Sequence, residues 1–243
     1  MSFGRNVRLV AGREFQAMVG TMGGWVILAA ALALDGLLFN LSALGGIRRS
    51  AEVLQRFFEV SSGVTMGAAV FVSMRLLAEE RQAETLPLLY ASPLQDVEIV
   101  LGKFLAALGF LAGLTLLTVY MPLLILVHGK VSLGHLAAGY LGLLLLGSAC
   151  LAMGAFASAL ARTQIIAGIV GGTLIVVLLL TWQLSRISEP PFAPLFAALA
   201  LWNLHFGPFQ SGVIHLRDVA YYLLVTWVFL FAATRVVEAR RWR

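Results

Sequence analysis

Ionisable side chains of both signs are grouped in the segment RLLAEERQAETLPLLYASPLQDVEIVLGK, which runs from Arg75 to Lys103. Its first part predicts a charged continuation of the helix before it, followed by a short apolar patch at 86–90 and a helix-starting turn at Ser92-Pro93. An apolar patch flanked by charges of both signs is suited to docking on another protein, because the patch supplies burial and the charges supply register. The segment therefore predicts a docking site, with a merely solvated loop as the alternative.

Two acids, Asp35 and Glu59, lie inside or near the end of long apolar stretches. An ionised group at bilayer depth is costly by a few kcal/mol unless it is paired or wetted, so both acids must face something polar. If the two helices pack as a hairpin, the acids could line a substrate path or bind an arginine such as Arg56. Structural pairing, or snorkelling at a helix end, is the alternative interpretation.

Catalytic and metal-binding patterns are weak in this chain. It has no GxSxG, HExxH or paired-carboxylate arrangement, and its histidines lie in predicted outer loops or at span ends: His128, His135, His205 and His215. The single Cys150 cannot form an intrachain disulfide or a cysteine-based metal cluster. The phosphate-loop pattern GxxxxGK[ST] is also missing, so we predict no catalytic residue, metal or cofactor in this chain.

The elements that position these residues follow from composition. Of the 243 residues, 60% are hydrophobic and 12% charged, with a mean hydropathy of +0.92, whereas a soluble domain is roughly 45–50% apolar and about 25% charged. An ordinary soluble protein is therefore excluded. The net charge of +5 does not predict nucleic-acid binding, because the arginines lie at the edges of apolar segments and form no long basic run.

The apolar runs predict an all-α membrane protein with a single transmembrane domain over residues 1–243. Residues 1–22 are amphipathic and predict an interfacial elbow helix. Segment 192–209 is short and bracketed by prolines, so 186–218 predicts an outer loop or re-entrant helix instead of a seventh crossing. The six predicted spans are Gly23–Leu44, Phe57–Ala78, Phe104–Val127, Leu136–Leu160, Ile165–Leu184 and Val219–Val237.

The distribution of basic residues predicts the orientation. With the N-terminus in the cytoplasm, 11 Lys and Arg residues lie on the cytoplasmic side and 6 on the other. Both termini are therefore predicted to be cytoplasmic. Three arginines in the first outer loop, Arg48, Arg49 and Arg56, go against this trend.

The charged segment resembles one in the membrane permeases of type 2 ABC exporters, through the pattern R-x-x-A-E-E-R-x-x-x-T-L-x-L-L-x-A-S-P-L followed by E-I-V-L-G-K-F. The C-terminal stretch 209–243 is similar to the gliding-motility-associated branch of that family. The resemblance implies a coupling helix and its approach between Glu79 and Pro93, within a cytoplasmic coupling loop at 79–103. The residues that it assigns to ATPase coupling are Glu79, Glu80, Arg81, Glu84, Thr85, Leu88, Leu89, Ser92 and Pro93.

The resemblance also implies a permease that works with a separate cytoplasmic ATPase, which binds ATP and Mg²⁺, and with a second permease copy or a paralogue. Membrane lipid is a further predicted partner, and an extracytoplasmic accessory protein is left open. The predicted location is the bacterial inner membrane, and lipid-like or polymeric export suits spans with little internal charge. The alternatives are a scaffold that docks an ATPase without transporting, and an intramembrane enzyme built on Asp35 and Glu59.

Overall fold

The computed structural model describes residues 3–43, 50–84, 94–128 and 132–241, and every regular element in these ranges is an α-helix. Six of the helices, some with their continuations, are long and apolar enough to cross a membrane. The predicted all-helical, six-span fold is confirmed. The helices are α1 Phe3–Gly20, α2 Met22–Ala43, α3 Ser50–Ser73, α4 Ala78–Gln82, α5 Asp96–Leu117, α6 Tyr120–His128, α7 Leu133–Leu160, α8 Gln164–Ile187, α9 Phe192–Leu199, α10 Gly207–Gln210 and α11 Leu216–Arg241.

Helix α7 is the centre of the bundle, with 83% of its most apolar window buried against 17% for α2 and 22% for α8. Small residues make this possible, because they allow neighbouring backbones to approach closely. At Gly142, for example, an added Cβ would lie 2.6 Å from Cβ of Phe209. The peripheral helices α2 and α8 consequently leave large apolar side chains on the outside of the bundle.

Two helices begin seven or more residues before the spans that the apolar runs predict. Helix α3 begins at Ser50 and α5 at Asp96, so Arg56 and Glu98 belong to helices and not to loops. At the start of α5 the Glu98 side chain accepts a hydrogen bond from Gln95 N at 2.9 Å, as part of a capping box. Caps of this kind let a spanning helix begin in polar sequence, because they satisfy backbone N–H groups that lack helical partners.

The segment between α8 and α11 folds back into the bundle. Leu201 N donates a 3.4 Å hydrogen bond to Leu178 O, a position about 14 Å back along α8 from its end. The hydroxyl of Tyr222 in α11 donates to Leu201 O at 2.8 Å. The helices α9 and α10 in this segment are short, and neither is among the six candidate spans.

Candidate functional site

Four of the coupling residues predicted from sequence, Glu79, Glu80, Arg81 and Glu84, lie at the end of the bundle where α1 lies, which we call the elbow end. After α3 the chain makes a turn and enters α4, which carries Glu79, Glu80 and Arg81. Glu84 follows in an exposed, left-handed conformation with φ of 57°. The predicted coupling residues Thr85, Leu88, Leu89, Ser92 and Pro93 lie outside the described residues.

Ser158 of α7 anchors the entry into α4. Its Oγ accepts hydrogen bonds from Leu77 N at 3.0 Å and Ala78 N at 2.9 Å, and it donates to Met74 O at 3.2 Å. The first N–H groups of a helix have no partner within the helix, so this fully buried hydroxyl satisfies two of them. The charged segment is thereby attached to the central helix of the bundle.

Lys103 of α5 is the centre of an ion-pair cluster that sequence reasoning did not assign to the site. Its Nζ lies 2.9 Å from Glu14 Oε1 and 2.9 Å from Glu80 Oε1, and the residue is only 3% exposed. A buried ammonium requires pairing and hydrogen bonding, which the two carboxylates provide. The Lys103 cluster, Glu14–Lys103–Glu80, therefore joins three helices: α1, α4 and α5. The sequence signal that could have predicted this cluster is a lysine two turns inside an apolar helix, because such a lysine needs a charged partner.

A second polar contact fastens α1 to α5. Asn6 Nδ2 donates a 3.0 Å hydrogen bond to Glu98 Oε1, and both residues are buried. The other oxygen of Glu98 accepts the capping bond at the start of α5, so one carboxylate both begins the helix and holds the elbow. The elbow helix is thus bound to α5 at two points along its length.

Arginines connect α4 and α11 to the end of α7. Arg81 Nη1 donates to Ala161 O at 2.7 Å, and Arg240 Nη2 donates to Leu160 O at 2.9 Å. The last carbonyls of a helix have no helical partners and carry partial negative charge, so guanidinium groups stabilise them. Arg75 also pairs with Glu79 through two parallel hydrogen bonds of 3.0 and 3.1 Å. A displacement of α4 would therefore change its contacts with α5 and α7, and through Lys103 those with α1.

The two intramembrane acids have separate polar partners. Asp35 is 1% exposed, and its two carboxylate oxygens lie 2.8 and 3.1 Å from the donating Oγ of Ser61. Glu59 forms an ion pair with Arg56, one turn earlier on the same helix. The Glu59 side chain is about 40% exposed. These contacts account for both acids structurally, and they do not by themselves indicate a substrate path.

A buried histidine stabilises the folded-back segment at the opposite end. His205 Nδ1 lies 2.8 Å from Asp218 Oδ1, and the His205 ring stacks on Tyr221 with centroids 3.7 Å apart. Both His205 and Asp218 are buried, so their contact fixes the folded-back segment to the start of α11 inside the protein. The span assignment predicts an outer loop or a span end for this histidine, and it does not predict these contacts because Asp218 and Tyr221 are 13 and 16 residues away in sequence. Among the described residues, no group of three or more His, Cys, Asp or Glu side chains could hold a metal ion.

Comparison with known proteins agrees with this architecture. A family model described as "ABC-2 family transporter protein" matches residues 16–197, which include the first five candidate spans and α4. No curated protein shows significant similarity to the chain. The matched range includes the charged segment, so it confirms the resemblance to type 2 ABC permeases noted there. It does not support membership of the gliding-motility-associated branch, whose resemblance lies in 209–243, outside the match.

Proposed function

Since the chain belongs to the ABC-2 family of transporter proteins, we propose that it is the permease subunit of an ATP-driven exporter and couples to a separate cytoplasmic ATPase. The family supports an integral membrane permease of an ABC transporter. Export, the coupling residues and the cargo are the further parts of the proposal. The observation that carries the coupling is the Lys103 cluster, because it links the charged segment to the elbow and to a spanning helix.

In the proposed mechanism the ATPase docks on the segment around α4. Closure of two ATPase subunits pushes α4, and the buried contacts of Glu80 and Ser158 transmit the push to α5 and α7. Rigid transmission needs links that are buried and geometrically defined, because exposed ion pairs are weak and yield easily. ATP and Mg²⁺ belong to the ATPase in this proposal, and this chain supplies the moving helices.

The proposal also includes the orientation of the chain in the membrane, its partner subunit and its cargo. Both termini and the elbow end face the cytoplasm of a bacterial inner membrane, and a second copy or a paralogue completes the translocation unit. The cargo is lipid-like or polymeric, because the spans carry little charge. The interaction between Asp35 and Ser61 is assigned a structural role.

ATP turnover tests the proposal. The purified chain alone in lipid nanodiscs should hydrolyse no ATP above a protein-free blank, since a triphosphate needs a nest of backbone N–H groups and a lysine. Adding the cognate ATPase should produce turnover, and Glu80→Gln should change it. The control is Glu238→Gln, because Glu238 pairs with an exposed arginine on α11. Hydrolysis by the isolated chain, or identical turnover with Glu80→Gln and the wild type, would overturn the proposal.

A further inference from the structure

A cavity of about 260 Å³ with six charged side chains in its wall opens at the elbow end between α1, α2, the end of α3, α4 and α5. Its wall carries three cationic and three anionic side chains: Arg13, Arg75, Lys103, Glu14, Glu79 and Glu80. Deeper in, the wall becomes apolar and includes Ile27, Val72 and Phe110. The cavity is therefore polar at one end, apolar at the other, and balanced in formal charge.

An apolar groove of about 510 Å³ adjoins this cavity. It lies between α2 and α3, and Ile27 lines both the cavity and the groove. From Val26 to Leu38 on α2 the groove is about 18 Å long, whereas one leaflet of the hydrocarbon core is about 15 Å thick. Gly63 and Gly67 line the groove, and a Cβ added at either would meet nothing within 4 Å.

The geometry points to a site for one phospholipid, phosphatidylethanolamine, with its headgroup in the cavity and one acyl chain in the groove. The length and apolar lining match a single chain. The headgroup carries one phosphate and one ammonium group, which match a cavity that presents both signs of charge. Arg13 has no ion-pair partner among the described residues and can receive the phosphate.

The carboxylates of the cavity select the rest of the headgroup. Glu79 is 46% exposed at the side chain, although it pairs with Arg75, so its oxygens can still accept hydrogen bonds from a primary ammonium. Phosphatidylcholine has no N–H to donate, and the headgroup of phosphatidylglycerol adds no cation for the carboxylates. A spanning helix of a second copy would fill the groove but would leave the charge of Arg13 unmatched, since the other five charged side chains of the cavity already pair with one another. The lipid therefore satisfies both parts of the site.

The test uses the full chain, delipidated in detergent and then reconstituted in nanodiscs of phosphatidylethanolamine, phosphatidylcholine and phosphatidylglycerol in equal amounts. Native mass spectrometry after release counts the phospholipid that stays bound. We expect phosphatidylethanolamine to be retained over the other two. Gly67→Leu should lower its retention about tenfold, equivalent to about 1.4 kcal/mol, because the new side chain occupies the groove. Gly172→Leu is the matched control, since it lies in open space on α8, away from the groove.

The headgroup contact has its own pair of variants. Arg13→Gln should lower retention of phosphatidylethanolamine, whereas Arg8→Gln, on the same helix but outside the cavity, should not. Each variant's unfolding temperature is measured alongside, so that loss of lipid is separated from loss of fold. Equal retention by Gly67→Leu and Gly172→Leu would overturn the proposal, as would preferred retention of phosphatidylglycerol or phosphatidylcholine. A disulfide between two chains carrying Gly67→Cys in native membranes would also overturn it, because a second copy would then cover the groove.

Discussion

Replacing Lys103 by methionine should destabilise the protein, because it removes the ammonium and keeps the apolar stem. Glu14 and Glu80 each place an oxygen 2.9 Å from Nζ, so these two oxygens lie within about 6 Å of each other. At an effective dielectric constant of about 20, two unit charges at that distance repel by about 3 kcal/mol. Their side chains are 21% and 17% exposed, so solvent screens part of this repulsion. The variant also loses the attraction between the ammonium and the two carboxylates. Together, these effects should lower the free energy of unfolding by about 2–4 kcal/mol.

Cys150 is a suitable reporter for the measurement. It is the only cysteine of the chain and is fully buried in α7, so a thiol-reactive fluorescent dye reacts with it only after unfolding. Thermal unfolding of the detergent-purified chain is followed by this signal. Lys103→Met should unfold at a clearly lower temperature than the wild type. Arg235→Met is the control, because its pair with Glu238 is exposed and contributes at most about 1 kcal/mol.

A triple variant decides whether the repulsion is the cause. Lys103→Met combined with Glu14→Gln and Glu80→Gln keeps the side chains similar in shape and removes the two negative charges. It should recover most of the stability that Lys103→Met alone loses. The reasoning is refuted if Lys103→Met unfolds at the wild-type temperature, or if the triple variant is no more stable than the single one.

Three further predictions concern topology, docking and the anchor of α4. A reporter fused after Arg243 should be cytoplasmic, and an external reporter would mean that a span was miscounted. Replacing Leu88 and Leu89 by glutamate should weaken ATPase pull-down by about 1–3 kcal/mol for each leucine buried in the partner, with membrane insertion intact; unchanged pull-down would remove the docking role. Ser158→Ala leaves two buried N–H groups unsatisfied and should lower stability in the dye assay by about 1–3 kcal/mol, whereas no shift would show that water replaces the hydroxyl.

The sequence alone determined the architecture because a bilayer imposes local rules. A segment must be long, apolar and internally hydrogen-bonded to cross, so hydropathy and length predicted six spans and an all-helical chain. The prolines and short length of 192–209 likewise predicted that this segment forms no full span, and neither of its short helices is among the six candidate spans. The ion pair of Arg56 and Glu59 was within reach of sequence reasoning, since a spacing of three places both on one helical face.

Only the tertiary structure decided which polar groups meet. Lys103 is 89 residues from Glu14, and Ser158 is 80 from Ala78, yet each pair is in hydrogen-bond contact. Such contacts depend on how each helix is rotated and where it crosses its neighbours. Spanning helices that are apolar all round carry little pattern that would reveal their rotation. The groove between α2 and α3 could not be predicted from sequence either, because its shape arises from the packing of the two helices against each other.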